Sequence, residues 1–221
     1  MSTQQEGPFH LQEPDAEVLQ RAQARLGDGT PTADAWQAFQ TLGAQYETRL
    51  TAYVAYVIDD EEAAHFIAQE ALWKAVASYP RIRPMAPFTA WLVKIAKNDS
   101  FKLLKARKRE GSIEATQKAL NEPLESGSAR PISSGRLDTE QEIIERDLIR
   151  RSYAQLARRE REVLFLRHIM GFSVKEMGWI FQVSSSSISQ ALWRGTLKFK
   201  QAYNRSLVLA GESPRKGGRT G

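Results

Sequence analysis

The sequence predicts an all-α protein of two small helical domains joined by a flexible linker, the second ending in a helix-turn-helix module. Three observations lead there. Apolar residues recur at helical spacing through residues 35–109, a Ser-, Gly- and Pro-rich stretch follows at 110–137, and Arg161–Lys200 carries three short helical patterns in succession. The expected division is an acidic, partly disordered extension over 1–34, a helical domain over 35–109, a linker over 110–137, a second domain over 138–205 and a basic disordered tail over 206–221.

The extension sets Glu6, Glu13, Asp15, Glu17, Asp28 and Asp34 against Arg21 and Arg25. Val18, Leu19, Ala22 and Leu26, closed by Gly27, predict a short helix there. A disordered leader is nonetheless the expected state of residues 1–34, and the sharper alternative is a shield over a basic DNA-binding surface. Trp36, Phe39, Leu42, Tyr46, Leu50, Tyr53, Val54 and Val57 then form the stripe of a long helix. Asp59, Asp60, Glu61 and Glu62 open the next one, where carboxylates suit the helix dipole and need no catalytic reading. That helix has its apolar side at Ala64, Ile67, Ala68, Ala71, Leu72, Ala75, Val76 and Tyr79, and Pro80 ends it.

After the loop Arg81–Pro87 a third helix is expected from about Phe88 to Arg109, with Phe88, Trp91, Leu92, Ile95 and Ala96 inward. Its other side carries Lys94, Lys97, Lys102, Lys105, Arg107, Lys108 and Arg109 against Asp99 alone. Cations in a last turn suit the dipole, but this many, interleaved with Trp91 and Phe101, match a phosphate backbone with stacked bases. Beyond the linker, Thr139 and Glu142 have capping-box spacing, and Ile143, Ile144, Leu148, Ile149 and Tyr153 give the restarted helix a core face.

Within Arg161–Lys200 the first helical face is Val163, Leu166, Ile169 and Met170, and Ser173 with Glu176 forms a capping box ahead of Met177 and Ile180. Ser184 or Ser185 caps a third helix whose inner side is Ile188 and Leu192, with Ala191 and Gly195 as close-packing positions. Ser186, Ser187, Gln190, Arg194 and Lys198 line the outer side. A short helix, a tight turn and a longer helix of this kind fits a major groove, with early residues at base edges and later cations at phosphates. A three-helix scaffold with a polar solvated face has the same spacing.

These stretches resemble a known family. Leu156–Ser189 is similar to the fourth conserved region of bacterial RNA polymerase sigma factors, in particular the extracytoplasmic-function (ECF) group of the sigma-70 family, through Leu156, Arg161, Val163, Leu166, Arg167, Gly171, Ser173, Glu176, Val183, Ser184 and Ile188, with Leu192 just beyond. Phe66–Arg109 resembles the second conserved region, through Gln69, Glu70, Phe88, Trp91, Leu92, Ile95, Ala96 and Asn98. Departures from the pattern are Ala157 for a usual Pro, Gly178 for Ala, Gln182 for a turn Gly, Ser189 and Ala191 where Lys and Arg are frequent, and Phe66 for Asp, for which core packing is the expected role.

The resemblance implies a sigma factor that binds core RNA polymerase and directs promoter recognition, melting and initiation. By that carry-over Gln69, Glu70 and Lys74 face the beta-prime clamp, while the beta flap is a second polymerase contact. Arg81, Arg83, Met85, Lys94, Lys97, Asn98, Lys102 and Lys105 bind and open the minus-ten element. Ser184, Ser185, Ser186, Ser187, Gln190, Arg194 and Lys198 read the minus-thirty-five element. The linker would run through the polymerase between the two, and an anti-sigma protein is a further partner that the family suggests. The alternative is a stand-alone helix-turn-helix regulator with a sensing or dimerising first domain. A degenerate sigma-like protein that only holds partners is the third reading.

Composition bounds these readings. The 221 residues are 42% hydrophobic and 26% charged, with a formal net charge of +5, and a pI near 9.5 favours an anionic partner. No apolar run approaches the ~18 residues of a membrane span. The first residues lack the basic and apolar regions of a signal peptide, so a cytoplasmic setting is expected. There is no Cys, which removes disulfides and thiolate chemistry. His10, His65 and His168 are scattered, and no P-loop, dinucleotide turn or metal-ligand spacing occurs, so neither an enzyme nor a cofactor is expected.

Overall fold

A computed structural model describes residues 11–24, 29–80, 86–110 and 140–209. Among them the chain forms eight helices and no strand: α1 (Ala16–Ala22), α2 (Ala33–Ile58), α3 (Glu61–Ser78), α4 (Phe88–Glu110), α5 (Glu140–Ala154), α6 (Arg158–His168), α7 (Val174–Phe181) and α8 (Ser185–Leu209). Residues 111–137 of the expected linker, the cap at Thr139 and residues 81–85 of the expected loop lie outside the described residues, while Glu110, expected in the linker, ends α4.

Polar side chains start the helices where the sequence places them. Asp15 Oδ1 accepts the amides of Glu17 and Val18 at 2.8 and 3.3 Å, and Thr32 Oγ1 accepts that of Ala35 at 3.0 Å. The acidic run at 59–62 divides its labour: Asp59 closes α2 in the left-handed region at φ 57°, Asp60 caps α3 through the Ala63 amide at 2.9 Å, and Glu61 and Glu62 occupy the first turn. Ser173 and Glu176 form the expected capping box, with the Glu176 amide 3.2 Å from Ser173 Oγ and the Ser173 amide 2.7 Å from Glu176 Oε2.

α2, α3 and α4 pack on one another through Leu42, Tyr46, Leu50, Tyr53, Ala64, Ala71, Phe88 and Leu92, all fully buried or nearly so. Removing a Leu- or Phe-sized side chain from water contributes about 1.5–3 kcal/mol each, so the large side chains of this stripe add substantially to the hold. In the second group α5, α6 and α7 pack against α8. Gly195 makes one of these approaches close: a Cβ there would meet Leu164 Cδ1 at 3.2 Å and the Glu160 backbone oxygen at 3.3 Å.

Several expectations are corrected. Residues 11–24 of the acidic extension lie on the folded body, with Leu11, Leu19, Ala22 and Gln23 buried and α1 packed on α2. Phe66 is 66% exposed and Trp36 is exposed as well, so neither belongs to the core. Ile144 and Ile149 are exposed, and α5 packs on α8 through a narrow side with Leu148 and Ser152 buried. α8 continues through residues 206–209, where the sequence predicts the tail. The two helical groups also share one apolar cluster, running from Leu42 and Phe88 through Val163, Met170 and Met177 to Ile188.

Candidate nucleic-acid interface

The cations of α4 separate into two sets. Lys102, Lys105, Arg107, Lys108 and Arg109 are exposed on the outer side, with the uncharged Asn98 also exposed. Lys102 Nζ lies 2.8 Å from Asp99, and Lys74 Nζ reaches the same carboxylate from α3 at 3.0 Å. Partial burial pushes the Asp99 carboxyl up, yet the hydrogen bonds from Lys102 and Lys74 hold it below the ordinary carboxylate range. Lys94 and Lys97 are covered instead. The Lys94 ammonium sits 4.0 Å from the centre of the Trp179 ring, and that of Lys97 lies 4.6 Å from Phe101 and 5.0 Å from Phe181. Burial lowers the Lys97 pKa. Arg81, Arg83 and Met85 fall outside the described residues, and Ala86, which follows them, has its carbonyl bonded to Tyr79 Oη at 3.0 Å.

On α3, Gln69 is exposed, with Nε2 3.4 Å from Glu47 Oε1 and 3.0 Å from the His65 ring. Glu70 pairs with Lys74 at 3.2 Å. Phe66 and Trp73 lie on the same exposed side, which makes it part apolar and part acidic.

Along α8 the serines are not equivalent. Ser184 Oγ accepts the Ser187 amide at 3.2 Å and lies 2.9 Å from the hydroxyls of both Ser186 and Ser187, so it caps the helix. Ser185, Ser186, Gln190 and Arg194 are exposed, and Ser187 is half-buried. Lys198 is committed elsewhere: its ammonium binds both oxygens of buried Glu160 at 2.8 and 3.0 Å, and Glu160 also accepts the Ala157 amide at 3.1 Å. This ion pair joins α6 to α8, a structural task where phosphate contact was expected. Trp193 is 67% exposed beside Arg194.

A seam between α4 and α7 was not foreseen. The Trp91 and Trp179 rings stack with centroids 5.5 Å apart, Arg158 lies over Phe101 at 4.3 Å, and Tyr56 stacks on Phe165 at 4.6 Å. Behind them Tyr53 Oη donates to Glu162 Oε1 at 2.7 Å. The one available signal was Trp179-Ile180-Phe181, three consecutive large apolar residues on an eight-residue helix, more than one side can bury.

Fold and exposed side chains together define an all-α protein that presents a polar and basic edge on α4 and another at the start of α8. No family model matches the chain, and no curated protein matches its sequence. Among solved structures the fold is similar to that of the sigma factor RpoE from Bartonella quintana, seen in a co-crystal with the anti-sigma factor NepR. The TM-score is 0.57 at 20% identity, covering 75% of this chain and 96% of that one. At this identity the likeness is one of fold.

Among the described residues no helix is long and apolar enough to cross a membrane, and no group of three or more His, Asp or Glu could hold a metal ion.

Proposed function

We propose that this chain is a sigma factor of the extracytoplasmic-function kind, which binds core RNA polymerase and directs it to promoters. The observation that carries the reading is the coincidence of two exposed edges, Asn98–Lys105 on α4 and Ser185–Arg194 on α8, on a frame whose fold matches a sigma factor over nearly all of that protein's chain. The first edge suits a single-stranded backbone because the exposed Lys102 and Lys105 lie beside the partly exposed Phe101. The second begins a long helix after a short one and a tight turn, the geometry of a major-groove reader. Ser185, Ser186 and Gln190 take the base edges and Arg194 a phosphate, while Ser184 and Lys198 hold the module together. The exposed side of α3 with Gln69 and Glu70 meets the polymerase clamp, and Lys74 orients Glu70.

Mixing the full chain with core polymerase and following co-migration on a sizing column tests this. Binding is expected, and Glu70→Lys should weaken it by about tenfold, equivalent to ~1.4 kcal/mol. A chain that ignores core polymerase yet footprints duplex DNA unaided would instead be a stand-alone regulator.

A further inference from the structure

One part of the α4 surface that the sigma reading offers to DNA, the side from Trp91 to Phe101, is partly covered by the chain itself, with Trp91, Lys94 and Lys97 half-buried and Phe101 still 36% exposed. Trp91, Lys94 and Lys97 meet Trp179 and Phe181 of α7, and Phe101 lies under Arg158 of α6. A nucleic acid stacking on Trp91 and Phe101 and neutralised by Lys94 and Lys97 would need the same atoms. The two occupants are mutually exclusive.

Something further holds the cover on. The segment preceding α1 crosses from one helical group to the other. Its Leu11 side chain is buried in the shared apolar cluster, and the Leu11 amide donates to the Met170 carbonyl at the end of α6 at 3.4 Å. One residue on, the Gln12 carbonyl accepts from Tyr46 Oη of α2 at 2.7 Å. Glu13 then takes the first amides of α4: its carboxylate accepts from the Phe88 amide at 2.8 Å, from the Thr89 amide at 2.9 Å and from the Thr89 hydroxyl. At the far end Gln23 Nε2 donates to the Val76 and Tyr79 carbonyls at 2.8 and 2.9 Å. Residues 11–23 are thus a strap tied to α2, α3, α4 and α6.

The contact between the two helical groups, of which this seam is part, is not built like a permanent core. Glu162, 3% exposed, is held there by Tyr53 and by the nearby charges of Lys97, Arg158 and Arg159, while Tyr56 Oη is buried with no hydrogen-bond partner among the described residues. Opening would return a carboxylate, a phenol and a lysine to water, which offsets part of the lost stacking.

Resting on the sigma reading, we propose that the strap of residues 11–23 and the α4–α7 seam form an intramolecular latch, which withholds the Trp91–Phe101 side of α4 from single-stranded promoter DNA until it opens. Apparent affinity for that DNA then scales with the population of the open form.

The test uses the full chain, the double variant Leu11→Ala/Glu13→Ala and, separately, Trp179→Ala, none of these being residues assigned to DNA. Hydrogen exchange over residues 91–101 and 174–181 reads the seam, with exchange in the centre of α2 as the folding control. Binding of a short fluorescein-labelled single-stranded oligodeoxynucleotide reads the site. The expected result is faster exchange at the seam, unchanged protection in α2, and affinity raised by about five- to tenfold in both variants. Unchanged seam exchange in both would overturn the latch whatever the DNA result. If the seam opens but affinity does not rise, while Lys102→Ala still weakens binding by the otherwise intact chain, the latch is wrong and the DNA site stands. If neither the open variants nor the parent chain binds, the sigma reading of α4 fails and the latch, as its regulator, falls with it.

Discussion

At the scale of single residues, the structure asks most of Glu162. Burial drives its carboxyl above the ordinary range, against the hydrogen bond from Tyr53 and the charges of Lys97, Arg158 and Arg159. The folded chain therefore keeps this proton to higher pH than the unfolded chain does. Between the two values folding binds more protons, so raising the pH through that window costs stability. Melting temperature followed upward from the normal carboxylate range should fall more steeply for the parent chain than for Glu162→Gln, and parallel curves would show that the group does not titrate in the fold. Tyr53→Phe leaves Glu162 buried without its donor and should cost about 1–3 kcal/mol by denaturant unfolding. Gln182 presents the opposite case. It holds φ 56° at the end of α7 without the glycine that this conformation favours. Gln182→Gly should gain about 0.5–1 kcal/mol, the relief of a left-handed side chain exceeding the entropy that glycine adds to the unfolded state, and a lower melting temperature would show that the side chain makes a contact worth more.

At the scale of elements, what sequence could show was local. The capping box at Ser173 and Glu176, the cap at Ser184 and the carboxylates at 59–62 act within three or four residues of themselves, so spacing alone exposes them. Ser173→Ala should accordingly cost about 1 kcal/mol in thermal unfolding; no change would mean that water or Glu176 alone satisfies the amides. The contacts that escaped are those between distant stretches. Glu13 caps a helix 75 residues away and Tyr53 meets Glu162 across 109 residues, with no periodicity linking either pair. Phe66 misled for a related reason: an aromatic beside Ile67 reads as core, yet a helix has only one inner side and Ile67, Ala64 and Ala71 fill it. Lys198 likewise lies on the polar side of α8 by spacing, and only the approach of α6, admitted by Gly195, brings Glu160 to it.

At the scale of the whole molecule, the all-α class and the exposed cations of α4 and α8 were legible, because cations on the polar side of a helix are visible in sequence. The apposition of α4 and α7, which decides how much of that charge is available, was not. Lys102 and Lys105 belong to the accessible part of the α4 edge, which continues through Arg107, Lys108 and Arg109. Lys102→Ala and Lys105→Ala should each reduce the slope of log affinity against log salt for single-stranded DNA by about 0.7, with little dependence on base sequence. Sequence-dependent losses would make them base readers. A sigma factor must start transcription, so the most direct measurement is run-off transcription with core RNA polymerase, this chain and fragments of the host genome. Discrete transcripts that require both proteins are the predicted result. Core polymerase that binds the chain and starts nothing new on any fragment would contradict it.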